Sequence, residues 1–225
     1  MRAAGRALVL DFGGVITRTL FETQPENERA LGLPPGTLAW RGPFDPAADA
    51  LWRSMQAGEI TEREYYLERA RETGLRVGEI WTSLPRFLRR VRGADPMAAI
   101  RPEALAAIGS AKRAGAKLAV LSNELDLFYG DELRAGLAFL RDFDLIVDAT
   151  YTGILKPDPR AYRLVTEGLA LAPAHCVYVD DQMRNVLGAV ASGFDAVHFD
   201  VTRPAEGFRM ALERLGLGME SGHHA

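Results

Sequence analysis

Between Ile100 and Leu215 the sequence alternates at regular intervals between helical patterning and short apolar runs. Helices fit Pro102–Arg113, Asp126–Leu140, Pro159–Leu169, Arg184–Ser192 and Ala205–Leu215, and strands fit Ala116–Leu121, Phe143–Val147, Cys176–Val179 and Ala196–Phe199. Strands alternating with helices of ~10–15 residues build βαβ units, which require a parallel sheet with helices on both faces. One more apolar run, within Arg6–Phe12, stands far upstream and ends in Asp11-Phe12-Gly13-Gly14, a buried strand followed by a turn. From about Thr17 to Asp95 the strand-like runs vanish and helical patterns replace them. The spacing there predicts helices over Asp45–Ala57, from a capping box at Thr61–Glu64 through Arg71 with a stop at Gly74, and over Val77–Val91 with Pro85 capping or kinking the last. The expected fold class is α/β: a Rossmann-like parallel sheet core (residues 1–16 and 96–225) with an inserted α-helical cap (residues 17–95).

A chain of 225 residues with 48% hydrophobic side chains has enough material for a packed core without metal or disulfide support, and that hydrophobic content excludes disorder. Its 27 basic and 30 acidic residues carry no nucleic-acid signature. The single cysteine, Cys176, excludes an intramolecular disulfide framework and favours a reducing compartment. The apolar stretch Ala7–Leu10 ends at Asp11, too short for a secretion signal, and no run approaches the ~18 apolar residues of a membrane span. A cytoplasmic protein is expected, monomer or homodimer, with neither nucleic acid nor membrane as partner.

Ligands of open α/β sheets bind at the carboxyl ends of the strands. Those ends carry Asp11, then Ser122-Asn123, then Lys156 in the loop after the third strand, then Asp180-Asp181. Carboxylates suit a hard cation such as Mg²⁺, and a lysine beside such a cation would neutralise a phosphate. No Gly-rich dinucleotide or Walker motif follows the first strand, which disfavours a nucleotide cofactor.

The segments LVLDFGGVIT, LAVLSNE, GILKPDPRAY and VYVDDQMRNVLGAVASG, in that order and all at strand ends, resemble the four motifs of the haloacid dehalogenase-like hydrolase superfamily. The resemblance implies that Asp11 is a nucleophile forming a covalent aspartyl intermediate that water then hydrolyses. It also implies that Ser122, Asn123 and Lys156 hold the phosphoryl oxygens, and that Mg²⁺ is bound by Asp11, the Gly13 carbonyl and Asp181, with Asp180 beside it and Asn185 bracing the loop. The expected function is Mg²⁺-dependent hydrolysis of a small phosphorylated metabolite, sugar phosphates included. A carbon–halogen hydrolase is the rival enzyme, although the paired acids would repel a 2-haloacid. A regulatory homologue that binds metal and phosphate without turnover is the other alternative.

The pattern breaks at Gly13, where most phosphatases of this superfamily carry a second Asp as general acid and base. Glu124, Asp126 or a group from the cap are candidate replacements. Other conspicuous residues read as structural. Asp158 fits an N-cap ahead of Pro159, Cys176 a core thiol, and Trp52, Tyr65 and Tyr66 cap packing. Arg86, Arg89, Arg90 and Arg92 fit a solvated helix face, and His223-His224 a disordered terminus.

Overall fold

The computed structural model describes residues 3–93, 95–123 and 125–218, so Glu124, His223 and His224 lie outside the described residues. Each apolar run becomes a strand: β1 (Ala7–Leu10), β2 (Lys117–Ser122), β3 (Leu145–Asp148), β4 (Cys176–Asp180) and β5 (Asp195–His198). All pairs are parallel, in the order β3-β2-β1-β4-β5. The first strand of the sequence is thus the central strand of the sheet. All four of its residues are buried, which is why its sequence is an unbroken apolar run rather than an alternating one.

The helices are α1 (Gln24–Leu31), α2 (Ala50–Gln56), α3 (Glu62–Val77), α4 (Leu84–Arg92), α5 (Pro102–Arg113), α6 (Leu125–Tyr129), α7 (Asp131–Gly136), α8 (Ala149–Thr152), α9 (Pro159–Leu169), α10 (Met183–Ala191) and α11 (Pro204–Arg214). Helices α5, α9 and α11 begin at prolines, whose missing N–H and fixed φ suit a first turn. Asp158 caps α9 as its sequence position suggests, accepting from the Arg160 amide. Helices α9 and α10 cover one face of the sheet, where Val9, Leu121, Tyr162, Val165, Tyr178 and Phe194 interlock with the buried Cys176. Burial pushes the Cys176 thiol up to about 11, so it stays protonated and inert at neutral pH.

Four helix boundaries differ from the pattern reading. Helix α3 opens on the expected Thr61–Glu64 capping box but runs straight through Gly74 and ends at Gly78, which takes the left-handed C-cap conformation at φ 69°. Gly74 serves close approach instead: a Cβ there would sit 2.4 Å from the Glu79 carbonyl oxygen. The helix expected at Asp45–Ala57 starts only at α2, because Asp49 turns its carboxylate onto the Trp52 amide as an N-cap. The helix expected over Asp126–Leu140 divides into α6, α7 and a 3₁₀ turn at Ala138–Asp142, with Gly130 at φ 79° between α6 and α7. The helix expected over Val77–Val91 begins only at Leu84, after the Ser83 N-cap position, and Pro85 falls in its first turn, where it neither caps nor kinks the helix.

The chain forms two compact units: Met1–Arg18 with Ile100–Leu125 and Leu137–Ala225, and Thr19–Ala99 with Asp126–Gly136. The second has its own apolar core of Leu20, Leu38, Trp40, Met55, Phe87 and Val91, among others. Trp52 and Tyr65 pack edge to face within it, and Tyr66 stands edge-on to Phe128. The arginine run on α4 is only partly a solvated face. Arg86 and Arg89 are exposed, but Arg90 pairs with Glu79 at 2.9 Å and Arg92 lies over the Tyr129 ring. Among the described residues no helix is long and apolar enough to cross a membrane.

Candidate active site

The strand order decides which chemical groups meet. With β2 and β4 flanking β1, the carboxyl ends bearing Ser122, Asp11 and Asp180 lie side by side where the chain direction across the sheet reverses. The Asp11 amide continues the ladder by donating to the Val179 carbonyl at 2.9 Å, and its carboxylate accepts from the Phe12 amide. Lys156 enters from the loop before α9, and its buried ammonium lies 2.9 Å from Asp11 Oδ1 and 2.7 Å from Asp180 Oδ2. Burial works against that charge, yet the carboxylates of Asp11 and Asp180 outweigh it and raise the proton affinity of Lys156 above that of an exposed lysine. Lys156 is therefore a permanent cation.

Asp180 and Asp181 are adjacent in sequence but differently engaged. Asp180 is fully buried, and its two oxygens accept from the Lys156 ammonium, the Tyr178 hydroxyl, the Gln182 amide at 2.7 Å and the Asn185 side chain at 3.1–3.2 Å. Asp181 packs against Gly14, so closely that a Cβ on Gly14 would lie 2.5 Å from its Oδ2. Asp11, Asp180 and Asp181 each place a carboxylate oxygen within 4.8 Å of the others, an arrangement that could hold a metal ion. The donor chemistry and the side-chain-free cradle at Gly14 both fit a hard divalent cation.

Ser122 ends β2, buried, opposite Asp148 in register. The Asn123 side chain spends both ends on the backbone of Lys156: its oxygen accepts from the Lys156 amide at 2.6 Å and its amino group donates to the Lys156 carbonyl at 3.2 Å. Asn123 thus fixes the lysine loop. Asn185 sits where the motif pattern expects it, bracing Asp180. Asp126 belongs to the second unit, where it is buried and ion-paired with Arg134 at 3.2 Å.

A model of the haloacid dehalogenase-like hydrolases matches residues 6–193. The chain belongs to that family. The haloacid dehalogenase-like fold is also found in a subfamily IA hydrolase of Geobacter sulfurreducens, with TM-score 0.59 and 18% identity over 95% of this chain and 97% of that one. In sequence the chain is 29% identical to acyl-CoA dehydrogenase family member 10 of Mus musculus over 96% of its own length and 20% of that protein. It is 33% identical to a phosphoserine phosphatase of Thermus thermophilus over 76% of its length and 66% of that enzyme. The chain thus spans about a fifth of the mouse protein and under half of two further curated relatives that it matches.

Four further residues that the sequence reading did not single out support this cluster of side chains. Arg101 is buried, stacks over Phe199 and donates to the Gly14 carbonyl at 2.9 and 3.2 Å, holding the turn against which Asp181 rests. Tyr178 reaches Asp180 from two positions earlier on the same face of β4, a placement that the period of a strand makes legible. His198 lies 3.1 Å from the Asp181 carbonyl oxygen, which can only accept, so its Nε2 carries the proton. Asp148 accepts from the Leu125 and Thr150 amides, tying the loop after Ser122 to the end of β3. Arg101 and His198 left no local signal, since each acts on a segment remote in sequence, and the same holds for the contact of Asp148 with Leu125.

Proposed function

We propose that this hydrolase cleaves small phosphorylated metabolites in a Mg²⁺-dependent reaction, with Asp11 as nucleophile. The observation that carries the reading is the charge count at the strand ends: three carboxylates converge around one lysine. Such a cluster favours a further cation, and it would repel an anionic 2-haloacid, which weighs against the carbon–halogen alternative.

Asp11, Asp181 and the Gly13 carbonyl would hold the ion, with Asp180 acting through Lys156 because its oxygens already accept from four residues. When bound, the ion neutralises phosphoryl charge as a Lewis acid. A carboxylate oxygen of Asp11 attacks phosphorus, and the bond to the leaving oxygen breaks. Water then attacks the aspartyl phosphate, releasing phosphate and returning the carboxylate. Lys156 and Ser122 hold the phosphoryl oxygens through both steps, and Asn123 keeps the lysine loop in register. Gly13 offers the leaving oxygen no proton, so substrates with good leaving groups, such as sugar 1-phosphates, suit the site best.

A panel of phosphorylated metabolites assayed with and without Mg²⁺ tests this. Phosphate release that chelation abolishes, and that Asp11→Asn drives below detection, is the expected result. Halide release from 2-haloacids without metal, retained activity in Asp11→Asn, or binding of metal and phosphate without turnover across the panel would each overturn the reading.

A further inference from the structure

The turn after β1 is closed by the Thr17 amide, which donates to the Phe12 carbonyl at 3.0 Å, and it carries two consecutive glycines at its middle. Glycine loses more backbone freedom on ordering than any other residue, so the Gly13-Gly14 pair is the part of this site least able to hold its own shape. The metal reading asks for precision at that very pair: the Gly13 carbonyl is one ligand, and Asp181 is seated where a Cβ on Gly14 would stand. Arg101 supplies the missing constraint. It is only 2% exposed, and it donates from Nε at 3.2 Å and from Nη2 at 2.9 Å to the single carbonyl of Gly14. Its own amide donates to the Ile16 carbonyl at 3.0 Å, and the preceding Ile100 pairs with Thr17 in an antiparallel bridge. Arg101 thus grips the turn at two carbonyls. Its mount is firm, since Pro102 opens α5, whose Ala104, Ala107, Ile108 and Ala111 are buried, and the guanidinium lies over the Phe199 ring.

We propose that Arg101 is a positioning residue for the divalent cation: by clamping the turn, it fixes the Gly13 carbonyl and the seat of Asp181 relative to Asp11. This role rests on the Mg²⁺ reading given above. One planar peptide unit links Gly13 to Gly14 and another links Gly14 to Val15, so pinning the Gly14 oxygen leaves the Gly13 carbonyl little room to swing. A guanidinium suits the task because its N–H groups form a rigid, permanently charged fork, whereas an ammonium is a point charge on a flexible stem. Without the clamp the ligands would meet in only a fraction of the turn's conformations, and affinity for the ion would fall by that fraction. Groups that orient a metal's ligands without touching the ion are typically worth ~10–100-fold in affinity.

Calorimetric Mg²⁺ titration of the full chain tests this, with a thermal melt of each variant to establish that it is folded. Arg101→Met keeps an apolar stem over Phe199 but removes the donors, and should raise the Kd for Mg²⁺ by ~10–100-fold. Arg101→Lys keeps the charge without the fork and should fall between the methionine variant and wild type. It also carries the test if the methionine variant fails to fold. Arg69→Met is the control: it removes another buried arginine, ion-paired with Asp49 in the second unit, and should lower the melting temperature while leaving the Kd for Mg²⁺ unchanged. Wild-type affinity in either Arg101 variant overturns the proposal. So does an equal loss of affinity in Arg69→Met, which would reduce the effect to general destabilisation. A wild-type chain that takes up no Mg²⁺ is a separate result, one that removes the metal reading itself and this role with it.

Discussion

At Gly13 the backbone runs at φ −70° and ψ 131°, an extended conformation open to every L-residue, whereas Gly14 beside it stands at φ 77° with Asp181 filling the space of a Cβ. Gly14 is therefore a requirement of the turn, and Gly13 is not. Restoring an acid by Gly13→Asp should leave the melting temperature nearly unchanged. It should raise alkyl phosphate hydrolysis by up to ~10²–10⁴-fold, the usual worth of general acid catalysis, and alter aryl phosphate hydrolysis far less. Steady-state rates on a matched pair of alkyl and aryl phosphates decide this. If the variant folds yet keeps the leaving-group dependence of the parent, another residue already supplies the proton. Asp126, ion-paired with Arg134 in the second unit, is poorly prepared for that work.

The turn from β4 into α10 separates two roles within two residues. Asp180 balances a buried lysine, so Asp180→Asn should destabilise the fold by about 3 kcal/mol, the scale on which breaking a buried ion pair is felt. Asp181→Asn should instead weaken Mg²⁺ binding by at least ~10-fold, the loss of one carboxylate ligand, with little effect on stability. Thermal melts and calorimetric Mg²⁺ titrations of both variants, read together, test the division; the reverse pattern would exchange the two assignments. The same segment shows how far sequence carries. Asp11, Lys156, Asp180 and Asp181 were legible because strand ends are predictable from alternation and because parallel strands bring those ends together. Helices opening on Pro102 and Pro159 were legible because proline marks a first turn. What escaped was long-range: Arg101 on the Gly14 carbonyl and Asn123 turned back onto the Lys156 loop depend on strand order, which no local pattern encodes. Helix α1, with Gln24 and Pro25 at its start and a weak apolar face, left no pattern to read. Gly74 misled because one residue type serves both chain termination and close packing.

Across the molecule the chain passes between its two units four times, near Arg18, Ala99, Leu125 and Gly136, rather than twice as a simple insertion would. Each unit is consequently built from chain on both sides of the Arg92–Pro96 segment. A single tryptic cut after Arg92 leaves β1 on one fragment and its partners β2 and β4 on the other. The same cut divides the second unit, where Tyr66 and Phe128 meet. The nicked protein should therefore elute from a sizing column as one species and separate only in denaturant; fragments that part under native conditions would refute this. The placement of β1 also bears on how the protein is made. Its neighbours in the sheet lie more than a hundred residues later, Lys117 beside Ala7 and Cys176 beyond that, so an emerging chain carries an unpaired, wholly apolar strand until those segments follow it. Loop-closure entropy delays such pairings, and an open strand edge invites association with other nascent chains. The helical insertion can organise while β1 waits, and closure of the sheet around that strand becomes the late step of folding, the point at which a chaperone would matter most.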